Sequence, residues 1–455
     1  MPPTVTGSDN ASRTATVSAA RRRTVIDSLR RGVVPESGLD LFAVGLERFQ
    51  AALDAELDAV AGGAAVFKAV RGEYGSGKTF FTRWLGERAK RRNFATAEIQ
   101  ISETETPLHR LETVYRRLTE RLTTASFPPS ALRPVVDAWF YALEEDALAD
   151  GASEDELAAA TAELLRVRLS EVSRHAPSFA TALRGYRAAL AAGDEAGAAA
   201  ILAWIGGQPH VAASARRAAG VRGDLDHFGA LGFLQGLLTV LRDSGQPGLF
   251  VVLDEVETLQ RVRSDARDKA LNALRQLIDE VHSGRFPGLY LIITGTPAFY
   301  DGPQGVQRLA PLAGRLATDF STDARFDNPR AVQIRLPGFT LDGLGELGRT
   351  VRGLYSAGTP HADRIDSLVD DAYVDELARA VAGSLGGKVG VAPRLFLKKL
   401  VGDVLDRVDQ FSDFNPREHY QLTVASHELT DVERNLTGSA DAVELDIDPS
   451  EDDDA

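Results

Sequence analysis

The sequence predicts an α/β protein with a parallel sheet, a helical insertion and a helical C-terminal region. Three observations carry that prediction. A short apolar run, Ala64 to Val70, passes through a glycine-rich turn into residues with helical apolar spacing, Phe80, Phe81, Trp84 and Leu85. Two more apolar runs, Leu249 to Leu253 and Leu289 to Ile293, end abruptly in polar residues, Asp254 and Thr294. Between the first run and these two, residues 126 to 225 are rich in Ala, Leu, Arg and Glu and show no convincing strand.

Taken in order, residues 1 to 20 are small and polar and are expected to be disordered. Residues 1–40 read as an N-terminal arm and linker, with a short helix, a Pro/Gly turn and a basic stretch from Arg21 to Arg31. The core is expected over 41–337. Its second strand is Phe94 to Ile101, "FATAEIQI", followed by a helical stripe of Leu108, Leu111, Val114, Tyr115 and Leu118. Ser153 and Glu156 have the spacing of a capping box and predict a helix start inside the insertion. The insertion reads either as an excursion from the core or as a separate helical domain. A helix with Leu271, Leu274, Leu277, Ile278 and Val281 on one face follows the third strand, and a last strand is expected over Val332 to Leu336. Residues 338–410 are expected to form a helical domain, and 411–455 a C-terminal extension.

Composition narrows the classes of function. The chain has 455 residues, 44% of them hydrophobic, and no cysteine, which excludes disulfides and thiolate metal sites. No apolar run approaches membrane-spanning length, and no signal-peptide core is visible, so a cytoplasmic protein is expected, with no membrane partner. The net charge of −14 speaks against general coating of DNA. Eight acids and no base lie between Asp441 and Asp454, however, so the rest of the chain is near −6 and leaves room for basic patches.

The glycine-rich turn has the pattern G-x-x-x-x-G-K-T, Gly72, Gly77, Lys78 and Thr79, and also contains Gly75 and Ser76. Glycines let backbone N–H groups converge on an anion, and the following helix points its positive end at the same place. Lys78 then reaches the β/γ-phosphates and the Thr79 hydroxyl ligates Mg²⁺. ATP and Mg²⁺ are the expected cofactors. Glu73 would repel a triphosphate, so its side chain is expected to point away. Asp254 ends a strand at the edge where open α/β sheets bind ligands, and can hold Mg²⁺ opposite Thr79. Glu255 can polarise a water for attack on the γ-phosphate. An apolar run followed by Asp-Glu is, on its own, equally a strand leading to a helix cap. Thr294 ends the next strand and would face the γ-phosphate and lytic water, with Thr296 as the competing residue.

This order of phosphate loop, extra strand, "LFVVLDE", "LIITGTP" and helical C-terminal region resembles the AAA+ P-loop ATPase superfamily. The resemblance implies a three-layer core, a helical lid over 338–410, and Thr294 as first sensor. It implies Arg394, in "GVAPR", as second sensor and Arg315 as the arginine finger, with Arg308 as the next candidate. It also implies a homo-oligomeric ring, a hexamer among the options. The stretches "VIDSLRRGVVPESGLDLFAVG", "VRGEYGSGKTFF", "ALNALRQLIDEVHSGRFPGLYLIITGTPAFYDGPQGVQ" and "APRLFLKKLV" resemble, more narrowly, the BREX phage-defence ATP-binding proteins of the BrxD type. That resemblance spans roughly residues 20 to 405. It implies an ATPase in bacterial anti-phage defence, working on or with DNA and a helicase-like or DNA-modifying partner. The alternatives are a nucleotide-switched scaffold with slow turnover and a transposition or replication regulator. The basic clusters Arg21–Arg23 with Arg30 and Arg31, Arg88–Arg92, and Arg261–Lys269 are solvated faces or DNA contacts. The acidic tail could mask such a face.

Overall fold

The computed structural model describes residues 17–384, 393–424 and 428–429. The expected disorder of residues 1–16, the Gly390–Ala392 part of "GVAPR" and the acidic tail lie outside them. Residues 19 and 20 belong to a helix, Ala19–Arg30, whose N-cap Ser18 accepts from the Arg21 N–H, so the expected disorder does not extend to them.

The chain divides into two compact units. One comprises Gly45–Gly72 and Gly77–Leu336, and the other Met1–Val44, Glu73–Ser76 and Pro337–Ala455. The first unit is built on five parallel strands, β1 (Val66–Arg71), β2 (Ala95–Gln100), β3 (Leu249–Asp254), β4 (Leu289–Gly295) and β5 (Gln333–Arg335). Their order across the sheet is β2-β3-β4-β1-β5. β3 and β4 are buried at every position, which is why they read as unbroken apolar runs rather than alternating ones. Register places Gln100 opposite Asp254, Leu253 opposite Ile293 and Val70 opposite Thr294. The C-terminal ends of four adjacent strands are therefore level, and their last polar residues share one edge.

The insertion contains helices Leu132–Ala149, Leu157–Arg168, Ser170–His175, Pro177–Ala191, Glu195–Ile205 and Ala213–Ala218, with no strand among the described residues there. Phe233, on the next helix, His227–Asp243, is their hub. Its ring lies 5.8 Å from Tyr115, 5.2 Å from Phe179 and 5.4 Å from Trp204. One turn along, Gly236 sits so close to Phe179 that a Cβ there would fall 2.5 Å from the ring. These aromatics form one continuous buried cluster with Ala97 and Val251 of the sheet. Ser153 and Glu156 do bond to each other, but they close a turn just ahead of the helix, which starts at Leu157.

A fully hydrogen-bonded charged pair lies inside this unit. Lys68, on β1, is 2% exposed. Its ammonium donates to Glu56 Oε1 at 2.5 Å, to the Ala331 carbonyl at 2.8 Å and to the Pro329 carbonyl at 3.3 Å. Tyr290 donates to the other Glu56 oxygen at 2.5 Å.

In the second unit, helix Ala19–Arg30 buries Val25, Ile26 and Leu29. Arg30 binds both carboxylate oxygens of Asp406 at 2.6 and 2.9 Å, and the Tyr355 hydroxyl donates to the same group at 2.8 Å. Helices Leu341–Ser356, Ala362–Leu368 and Asp371–Ser384 follow the expected helical pattern. A π-helical turn, Lys399–Leu405, interrupts the next stretch, where apolar periodicity alone predicts an ordinary helix.

Candidate nucleotide-binding site

The site grows out of the end of β1. The Gly72 N–H bonds to the Gly295 carbonyl at 3.2 Å, extending the sheet by one step before the chain turns. Gly75 and Gly77 take φ values of 77° and 91°, in the left-handed region that disfavours side chains. Gly77 is the N-cap of helix Lys78–Arg91. Glu73 is exposed. Lys78 is buried, and its ammonium donates to the Gly72 carbonyl at 2.9 Å.

Asp254 gathers three donors at the strand edge. Thr79 Oγ1 donates to Asp254 Oδ2 at 3.0 Å. The Thr294 hydroxyl donates to Oδ1, and the Glu255 N–H reaches the same oxygen at 3.1 Å. The Glu255 N–H also lies 3.1 Å from Thr294 Oγ1. Of Thr294 and Thr296, it is thus Thr294 that bonds to Asp254. Glu255 itself has φ 59° and ψ 44°, a left-handed conformation that costs a non-glycine residue roughly 1–3 kcal/mol. The twist lets the chain leave β3 sharply while the Glu255 carboxylate stays at the edge. There it accepts from Gln100 Nε2 at 2.8 Å.

Two residues here escaped the sequence reading. Gln100 is the polar end of an alternating strand, and only register with β3 brings it to Glu255. Glu257 follows in "DEVET" and resembles any helix-face glutamate, yet it is only 4% exposed. Neither of its carboxylate oxygens has a hydrogen-bond partner, and Lys78 Nζ is 4.0 Å from Oε1. Burial pushes this carboxyl above its ordinary value of 4.5, with Lys78 pulling the other way and Glu255 and Asp254 adding to the rise.

The three candidate arginines each have partners of their own. Arg315 pairs with Asp279 and donates to the Pro311 carbonyl at 2.8 Å. Arg308 pairs with Asp268 and bonds Ser264 Oγ at 2.7 Å. Arg394 belongs to the second unit, where it donates to the Glu428 carbonyl at 2.6 Å. Lys398 and Lys399 bind the Glu428 carboxylate at 3.0 and 2.8 Å.

Among known families, the model of the BREX system ATP-binding protein BrxC/D family matches residues 17–424. The chain belongs to this family. The match encloses the stretch over which the sequence resembles BREX ATP-binding proteins. No curated protein and no solved structure matches the chain. Among the described residues, no helix is long and apolar enough to cross a membrane.

Proposed function

We propose that this BREX-family protein binds ATP at the Gly72–Thr79 loop and hydrolyses it, as an AAA+-type ATPase. The observation that carries the reading is the joined set of Thr79, Asp254, Thr294 and Glu255 beside Lys78, at the level C-terminal edge of a parallel sheet. The strand order supports it too, because β4 separates the loop-bearing β1 from β3 and β2 lies beyond β3. The Thr79 hydroxyl and Asp254 carboxylate are hard oxygen donors 3.0 Å apart, a set that fits Mg²⁺ completed by phosphate oxygens and water. Mg²⁺ would supply charge neutralisation on the transferring phosphoryl group. The protein's own part is to place backbone N–H groups and Lys78 on the phosphates, and to present the Glu255 carboxylate to an attacking water. The Thr294 hydroxyl holds Asp254 and Glu255 in register. The reading leans on neither Arg315 nor Arg394, each engaged by its own neighbours.

Glu255→Gln tests the chemistry. The amide keeps the shape but is a poor proton acceptor, so phosphate release falls on the order of 10²–10⁴-fold while ATP binding stays intact. Unchanged turnover would reduce Glu255 to a cap of the turn that follows it. Family membership also leads us to propose work with DNA in an anti-phage defence complex. Turnover measured with and without duplex DNA at one salt concentration tests this, and equal rates would remove it.

A second reading, a nucleotide switch with slow turnover, is favoured by one contact. Gln100 holds Glu255 through the bond at 2.8 Å, and a carboxylate so held is withdrawn from water activation. In that reading, release of Gln100 sets the rate.

A further inference from the structure

A buried carboxylate with neither oxygen hydrogen-bonded is unusual enough to need a reason, since desolvation without a partner is costly. Glu257 is such a group, held on the 3₁₀ turn Val256–Gln260 just after β3. The nearest cation among the described residues is the ammonium of Lys78, 4.0 Å away, which donates to the Gly72 carbonyl at 2.9 Å. That distance suits charge attraction but not a formed hydrogen bond. The loop lysine therefore has an anion close by that attracts it without a formed hydrogen bond.

We propose that Glu257 is a positioning residue that attracts Lys78, competes with incoming phosphates for it, and so weakens nucleotide binding. The inference rests on the reading of the Gly72–Thr79 loop as the nucleotide site. When a nucleotide draws the ammonium onto its phosphates, Glu257 loses the attraction of that cation. It then stays charged near the phosphates or takes up a proton. Either course opposes binding, and neither is open to a neutral side chain of the same shape. The consequence is a site that takes nucleotide less tightly than its phosphate cradle allows, and releases product faster.

The test is equilibrium binding of MgATP and MgADP to the full chain by titration calorimetry, for the parent, Glu257→Gln, Glu257→Met and Glu257→Asp. Thermal unfolding of each serves as the folding check. Removing the charge is expected to tighten both nucleotides about tenfold, ~1.4 kcal/mol. Glu257→Asp keeps the charge and is expected to keep the parent's affinity. Loss of a merely structural residue weakens binding, so a gain separates the two roles. Unchanged or weaker binding in a folded Glu257→Gln or Glu257→Met overturns the proposal. So does an equal gain in Glu257→Asp, which would assign the effect to packing. Failure of both neutral variants to fold makes Glu257 a structural residue and overturns it as well. If the parent binds no ATP, the loop assignment itself falls; if the parent binds and no variant gains, only the role of Glu257 does.

Discussion

Two lysine–glutamate pairs flank the same segment of chain and are built to opposite standards. Lys68, within β1, has three acceptors for its three donors, and Glu56 has a partner on each oxygen. Lys78, seven residues past the end of β1, faces a Glu257 that has none. Both lysines and Glu257 are largely shielded from solvent. The difference is one of permanence. A buried ion pair survives in a core when every donor and acceptor is satisfied, and the Lys68 pair meets that condition. In the proposed function Lys78 moves onto a ligand, and a carboxylate that attracts it without a formed hydrogen bond lets it go more readily. Lack of hydrogen bonds around Glu257 therefore marks the second pair as the exchangeable one.

The largest effect that separates the pairs is on stability. Lys68→Met leaves Glu56 with only the Tyr290 hydroxyl, and breaking a buried pair costs about 3–5 kcal/mol. The lower end is expected, because the Glu56 side chain keeps 19% of its exposure. Denaturant unfolding measures the loss, and MgATP affinity of the folded fraction should stay at the parent's value. A stable Lys68→Met would mean that full satisfaction is not what holds the pair. The smallest effect concerns a second exchangeable contact, Gln100 to Glu255. Such a bond contributes about 0.5–1.5 kcal/mol net. Gln100→Ala should raise phosphate release roughly two- to tenfold by freeing the carboxylate. A fall in rate would show that Gln100 aims Glu255 at its water instead.

The contrast between the pairs also explains what was legible in the sequence. The strands read clearly because β3 and β4 are buried on both faces and so apolar throughout. The positions of the loop, Asp254, Glu255 and Thr294 are legible because each lies at a strand end or a helix start, where local pattern is strong. Gln100 and Glu257 did not. Their placement comes from register between β2 and β3 and from burial on a short turn, and neither leaves a local signature. The π-helical turn at Lys399–Leu405 was hidden because apolar spacing there fits an ordinary helix equally well. The Ser153–Glu156 pattern found its partners but stopped one residue short of the helix, because the same bonds also close a turn.

In the proposed function the charge of Lys78, just past β1, exists for a nucleotide. The most direct measurement is the shift in thermal unfolding with rising MgATP, for the parent and Lys78→Ala side by side. A ligand that binds only the folded state stabilises it in proportion to the logarithm of its concentration above Kd. The account predicts a midpoint that climbs with ATP in the parent and stays flat in Lys78→Ala, because the phosphates there lose a positioned charge that the backbone N–H groups cannot replace. An equal climb in both proteins would contradict it and place ATP somewhere other than this loop.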